Sequence, residues 1–252
     1  MGTQLNISKN QYLQHLGESV DRIEVLGDSI LDKRVPTCGE WRGLQLIEHL
    51  REVYERASAR IGASENPQIV FEAADPEEAL GRLRRSFEIL SRRIDQGRPE
   101  DPAWNWTGKE MNIAWLARRM AHETAIHATD AALAAGAKET LRPQSLFDPT
   151  FASDGIAEFF EIAFARPNVR RKSQTEINTI HLHATDISDC EWTITLTPQS
   201  IQAERSHAKA DAALRGPASG LYLWTWNRIG IQGMETFGDP AILSRWHEEI
   251  AI

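Results

Sequence analysis

"MNIAWLARRMAHETAIHATDAALAA", residues 111 to 135, is followed by Gly136. Ile113, Leu116 and Met120 recur at the three- and four-residue spacing that lines one face of a helix, and Glu123 and His127 continue the same stripe. The pattern predicts a helix over about Met111 to Ala135, stopped by the glycine. Residues four apart stack on one face, so Glu123 and His127 lie side by side, while His122 points about 100° away. A carboxylate on an apolar stripe is costly to bury unless a cation or hydrogen bonds compensate it. A metal would supply that compensation.

Upstream, Tyr12, Leu16, Val20 and Ile23 predict a helix running to about Leu31. A turn at Val35-Pro36-Thr37-Cys38-Gly39-Glu40 leads into a second helix from near Trp41, with Leu46, His49, Leu50, Val53 and Ala57 on its stripe, so His49 faces the core. Asp75-Pro76-Glu77-Glu78 supplies a cap, a proline and first-turn acids to a third helix carrying Leu80, Leu83, Phe87, Leu90 and Ile94. Gly97 to Gly108, with Pro99, Pro102, Trp104 and Trp106, reads as an irregular loop. Four helices so spaced predict an antiparallel bundle.

The character changes near Phe151. A short helical stretch around Asp154 to Phe164 and a polar, Arg-rich link from Ala165 to Lys172 precede two period-2 runs, Thr179 to Ala184 and Trp192 to Leu196, which read as strands. Helices return over Ala218 to Arg228 and Ala241 to Glu249, with a short strand near Met234 to Phe237. The expected fold class is α+β, mainly α: a four-helix bundle over residues 8–150 and a smaller α+β domain over 151–252.

The bulk properties narrow the partners. A formal charge of −8 over 252 residues argues against non-specific nucleic-acid or anionic-membrane binding, both of which rely on excess Lys and Arg. The start has no apolar leader segment, and no window approaches the roughly 18 apolar residues of a spanning helix, so a cytoplasmic location is expected. With only Cys38 and Cys190, neither a disulfide framework nor a thiolate zinc knuckle is available. Any metal must use His, Asp or Glu.

His49 can join Glu123 and His127 in the bundle interior. Such a His2Glu set leaves a fourth position open, the pattern of catalytic zinc. An i, i+4 Glu/His pair is in general more often a solvated or ion-paired couple than a metal site. Spacing alone leaves both readings open.

Val35-Pro36-Thr37-Cys38-Gly39-Glu40-Trp41, followed by Leu46-Ile47-Glu48-His49-Leu50, resembles the "VPTCPGW…AHL" signature of the mycothiol-dependent maleylpyruvate isomerase family, whose N-terminal domain is a DinB-like bundle. Ala121 to His127 is similar to that family's second signature. The likeness continues through Ala152 to Phe159, Gly216-Pro217-Ala218-Ser219, Leu223 to Arg228, Gly238-Asp239-Pro240 and Leu243 to Trp246, in order along nearly the whole chain. One departure is visible: the family's Pro-Gly after the cysteine is Gly39-Glu40 here.

The resemblance implies that His49, Glu123 and His127 hold a divalent metal, usually zinc, and that the thiol of mycothiol is the cosubstrate, its thiolate adding to an electrophilic small molecule. The outcome is cis–trans isomerisation or S-transfer. A zinc-dependent hydrolase with metal-activated water, or a non-catalytic metal-binding interaction protein, stands as the alternative. An anionic substrate needs a cation, and Arg118, Arg119 and Arg228 lie nearest the signatures, with Arg118 and Arg228 taken as the catalytic candidates. A monomer or weak homodimer is expected.

Other polar residues read more plainly. His122 is expected to support the ligands or lie at the surface. His181 and His183 share one side of a strand and read as a sheet-surface pair, since no carboxylate or third histidine accompanies them in that strand. Cys38 reads as packed and inert. Of the tryptophans in or beside the bundle, Trp41 and Trp115 read as core, and the loop pair Trp104 and Trp106 could also wall a pocket.

Overall fold

The computed structural model describes residues 7–137, 143–165, 177–197 and 201–249. The protein is α+β and mainly helical, and its chain divides into two compact units, the division in sequence falling after residue 141. The Arg-rich link lies, apart from its first residue, outside the described residues.

The first unit is a bundle of α1 (Lys9–Leu26), α2 (Gly43–Arg60), α3 (Ala79–Gln96) and α4 (Ile113–Ala134). Each helix packs against two others: α1 on α3 and α4, α2 on α3 and α4. The stripes meet in a core of Leu16, Val20, Ile23, Leu46, Leu50, Leu83, Leu90, Ile94 and Leu116, none more than 1 % exposed. Tyr54 and Thr124, both buried, join α2 to α4 through a 2.8 Å hydroxyl–hydroxyl hydrogen bond.

The helix ends follow local chemistry. Ser8 and Gln11 form a capping box at α1, the Gln11 amide donating to Ser8 Oγ (3.3 Å) and the Ser8 amide to Gln11 Oε1 (2.9 Å). Ser8→Ala is expected to lower stability by about 1 kcal/mol, read from the urea midpoint; an unmoved midpoint would mean the box contributes nothing. The first helix ends before Leu31, because Gly27 adopts φ +60° and a 3₁₀ turn over Gly27–Ile30 follows. The third starts later than its acidic signal, since the Asp75 side chain accepts from the Glu77 amide (3.1 Å) and caps a turn ahead of the helix. At the start of α2, a Cβ on Gly43 would sit 2.1 Å from the Ile30 carbonyl oxygen, while the Gly43 amide donates to Lys33 O at 2.9 Å. Only glycine fits there.

In the second unit α5 (Pro149–Ala165) precedes β1 (Asn178–Ala184), β2 (Glu191–Leu196), β3 (Ile201–Glu204), β4 (Ala212–Gly216), α6 (Ala218–Thr225), β5 (Glu235–Gly238) and α7 (Pro240–Glu249). The sheet order is β3-β2-β1-β4-β5, antiparallel except for the β1–β4 pair. Two strands, β3 and β4, escape the period-2 reading, and α5 is longer than expected. Ile180, Leu182, Ile194, Leu196 and Leu214 fill the buried face, and α6 and α7 pack against β1 and β4. Trp224 and Trp246 stack at 5.1 Å between ring centroids, and Phe159 packs against Trp246. On the other face His181 pairs with Thr193 and His183 with Glu191.

Candidate metal centre

Asn112 opens α4 by accepting from the Trp115 amide at 2.9 Å, and this sets the phase of the whole helix. Ile113, Leu116 and Met120 are buried, and Glu123 and His127 come next on the stripe with side chains 15 % and 12 % exposed. His49 stands on α2 between fully buried Leu46 and Leu50. Its Nε2 lies 3.1 Å from Glu123 Oε1, and His127 Nε2 lies 3.5 Å from the same oxygen. Three donors from two helices therefore converge on one point, each within 4.8 Å of the others. The Trp41 ring forms a side of the site, 5.1 Å from the His49 ring.

Two further contacts fix this arrangement. Buried Arg119, one turn before Glu123, donates to Glu123 Oε2 and leaves Oε1 toward the histidines. Asp130, fully buried and one turn past His127, accepts from His127 Nδ1 at 2.9 Å. The same carboxylate accepts from Thr37 Oγ1 (2.5 Å) and Cys38 Sγ (3.5 Å), which ties the Val35–Trp41 turn to α4. Held by Asp130 at Nδ1, His127 presents Nε2 toward the Glu123 carboxylate oxygen. Two imidazole nitrogens around one carboxylate oxygen are a donor set that suits a divalent metal, zinc in particular. The residues fit a divalent metal.

Electrostatics keep His49 available as a donor. Burial, with His127, Arg56 and Arg119 nearby, lowers its pKa from 6.5 to about 4. Glu52 acts in the opposite direction and is outweighed.

Other expected residues fall elsewhere. Arg118 is half-buried on α4, and it is Arg119 that holds the Glu123 carboxylate. Arg228 lies just past α6 in the second unit, where Nη1 donates to the Trp226 carbonyl at 2.5 Å. His122 is fully buried rather than at the surface, and meets Tyr12 of α1 edge-on at 6.2 Å. Cys38 is partly exposed, beside Asp130. Trp104 and Trp106 clamp the Arg60 guanidinium, at 5.0 and 5.6 Å from their ring centroids. His181 and His183 do acquire a carboxylate and a third histidine, from neighbouring segments.

Asp130 is the residue the sequence reading missed. Its signal was present as His127-x-x-Asp130, an i, i+3 pair on one helix. Asp130→Asn, which keeps shape but loses charge, is expected to weaken metal binding about 10- to 100-fold, checked by competition with a chelating dye. Affinity equal to wild type would mean that Asp130 does not tune the ligand.

A family model described as the mycothiol maleylpyruvate isomerase N-terminal domain matches residues 13–132, and another, the MDMPI C-terminal domain, matches residues 150–245. Among solved structures the chain is similar to two crystal structures of the mycothiol-dependent maleylpyruvate isomerase, one of them a histidine-to-alanine mutant. Both are 11 % identical, cover 93 % of this chain and 95 % of that chain, and give TM-scores of 0.61 and, for the mutant, 0.63. No curated protein matches.

Proposed function

The chain belongs to the mycothiol maleylpyruvate isomerase family, and on that premise we propose that it is a metal-dependent isomerase that uses mycothiol as cosubstrate, with His49, Glu123 and His127 as the metal ligands. The observation that carries the reading is the convergence of the two imidazoles on Glu123 Oε1 at 3.1 and 3.5 Å, on a helix face that is otherwise apolar.

A divalent metal in this site supplies the positive charge that keeps a thiol ionised at neutral pH. His49 and His127 offer neutral nitrogens, Glu123 offers one charged oxygen, and Arg119 holds the other. Asp130 fixes the ring of His127. The cosubstrate thiolate adds to an activated cis double bond, the former double bond rotates as a single bond, and elimination returns the thiolate and the trans product. No atom is gained or lost. Arg118 and Arg228, each taken separately within its own unit, are the proposed candidates for binding a carboxylate of an anionic substrate.

The test is turnover of maleylpyruvate by zinc-loaded protein with and without mycothiol. Isomerisation that needs both thiol and metal supports the proposal. Equal rates without thiol would overturn it, and consumption of mycothiol with a thioether product would point to S-transfer from the same site.

A further inference from the structure

On the polar face of the sheet, opposite the helices, three imidazoles converge on a single carboxylate oxygen. Glu191 Oε2 lies 2.9 Å from His181 Nε2, 3.3 Å from His183 Nδ1 and 2.5 Å from His207 Nδ1. The ring centroids are 5.0 to 6.4 Å apart, and the four donor atoms all lie within 4.8 Å of one another. The cluster is built by pairing rather than by chance proximity. His181 and His183 alternate on β1, and the antiparallel register sets Glu191 directly opposite His183.

His207 arrives from the segment after β3, and that segment is pinned. Ser206 Oγ donates to Thr193 Oγ1 at 2.8 Å, and Arg205 Nη1 donates to the Asp189 carbonyl at 2.7 Å while its guanidinium lies over the Trp192 ring. Neighbouring charge is taken up, since Arg215, opposite His183 on β4, pairs with Glu235 at 2.7 Å.

A carboxylate oxygen has two lone pairs and cannot satisfy three N–H donors in good geometry. A tetrahedral cation takes one lone pair from each of four ligands. Zinc–nitrogen bonds of about 2.0–2.1 Å place such ligand atoms about 3.4 Å apart, within the 4.8 Å that bounds all four donor atoms here. We propose that His181, His183, Glu191 and His207 form a second metal site, for zinc or a similar divalent transition metal, on the sheet of the C-terminal unit. Four protein ligands close the coordination shell, so the site is structural: it fastens β1, β2 and the segment after β3 to one another.

Zinc alone is the probe, added to chelator-treated, tag-free, full-length protein. His183→Ala alters a half-buried side chain and His207→Ala an exposed one, and circular dichroism checks that both variants keep the fold. Each is expected to lose one zinc equivalent, its affinity for this site falling at least about 100-fold. His49→Ala with Glu123→Ala is expected to keep that same equivalent. Because the two sets of variants are read separately, failure of the bundle site leaves this result intact, and the converse holds. Zinc uptake by His183→Ala and His207→Ala equal to the parent, or loss of all bound zinc in the bundle variant, would overturn the proposal.

Discussion

Glu123→Ala is expected to lower thiol-dependent turnover by at least about 10³-fold, more than the 10- to 100-fold usual for residues outside the ligand shell. Glu123 is the hub of the site: its Oε1 faces both histidines, and its Oε2 accepts from Arg119. Removing it takes away the anionic donor and also one partner of a buried guanidinium, a loss of about 1.5–3 kcal/mol in stability. Glu123→Gln separates the two effects. It keeps an oxygen acceptor for Arg119 and recovers most of the stability, yet it lacks the charge a dication needs. Metal content by elemental analysis and kcat/KM are measured on both variants. Wild-type activity in either would remove Glu123 from the proposed machinery.

The second large effect is acid sensitivity of the metal-free protein. The His49 pKa is about 4 in the fold and returns to its ordinary 6.5 on unfolding, so the unfolded chain binds a proton that the folded chain refuses. The stabilisation is fully present above pH 6.5 and is lost as pH falls toward 4. The loss amounts to about 2 kcal/mol at pH 5 and about 3 kcal/mol below pH 4. Urea unfolding of chelator-treated wild type and His49→Gln across this range checks it. The wild type is expected to lose about 2 kcal/mol more than the variant between pH 7 and pH 5. Parallel curves would show that His49 protonates as freely in the fold as outside it.

The helices of the bundle were legible because their apolar spacing is regular over several turns, and α4 shows this best. Its phase put Glu123 and His127 on the inward stripe. What the pattern did not carry was Asp130: the i, i+3 spacing is visible, but its use depends on Thr37 and Cys38 arriving from a turn far away in sequence. Strands β3 and β4 were missed for a different reason. Ile201–Glu204 is a short edge strand with little burial, and Ala212–Gly216 carries small residues whose strand character comes from the neighbours β1 and β5. His181 and His183 were correctly placed on one side of a strand. Their partners Glu191 and His207 come from β2 and from beyond β3, and only pairing register reveals them.

Gly43 bears on the spacing of His49, Glu123 and His127, the proposed metal ligands. A helix behaves as a stiff rod over a turn and a half, and His49 stands six residues along α2 from the point where Gly43 rests against the Ile30 carbonyl. A methyl group at position 43 would push the rod outward by about an ångström to regain ordinary contact distance, and His49 would travel with it while Glu123 and His127 stayed on α4. The width of the ligand triangle is thus gauged from outside the triangle, by a residue whose contribution is to occupy no room.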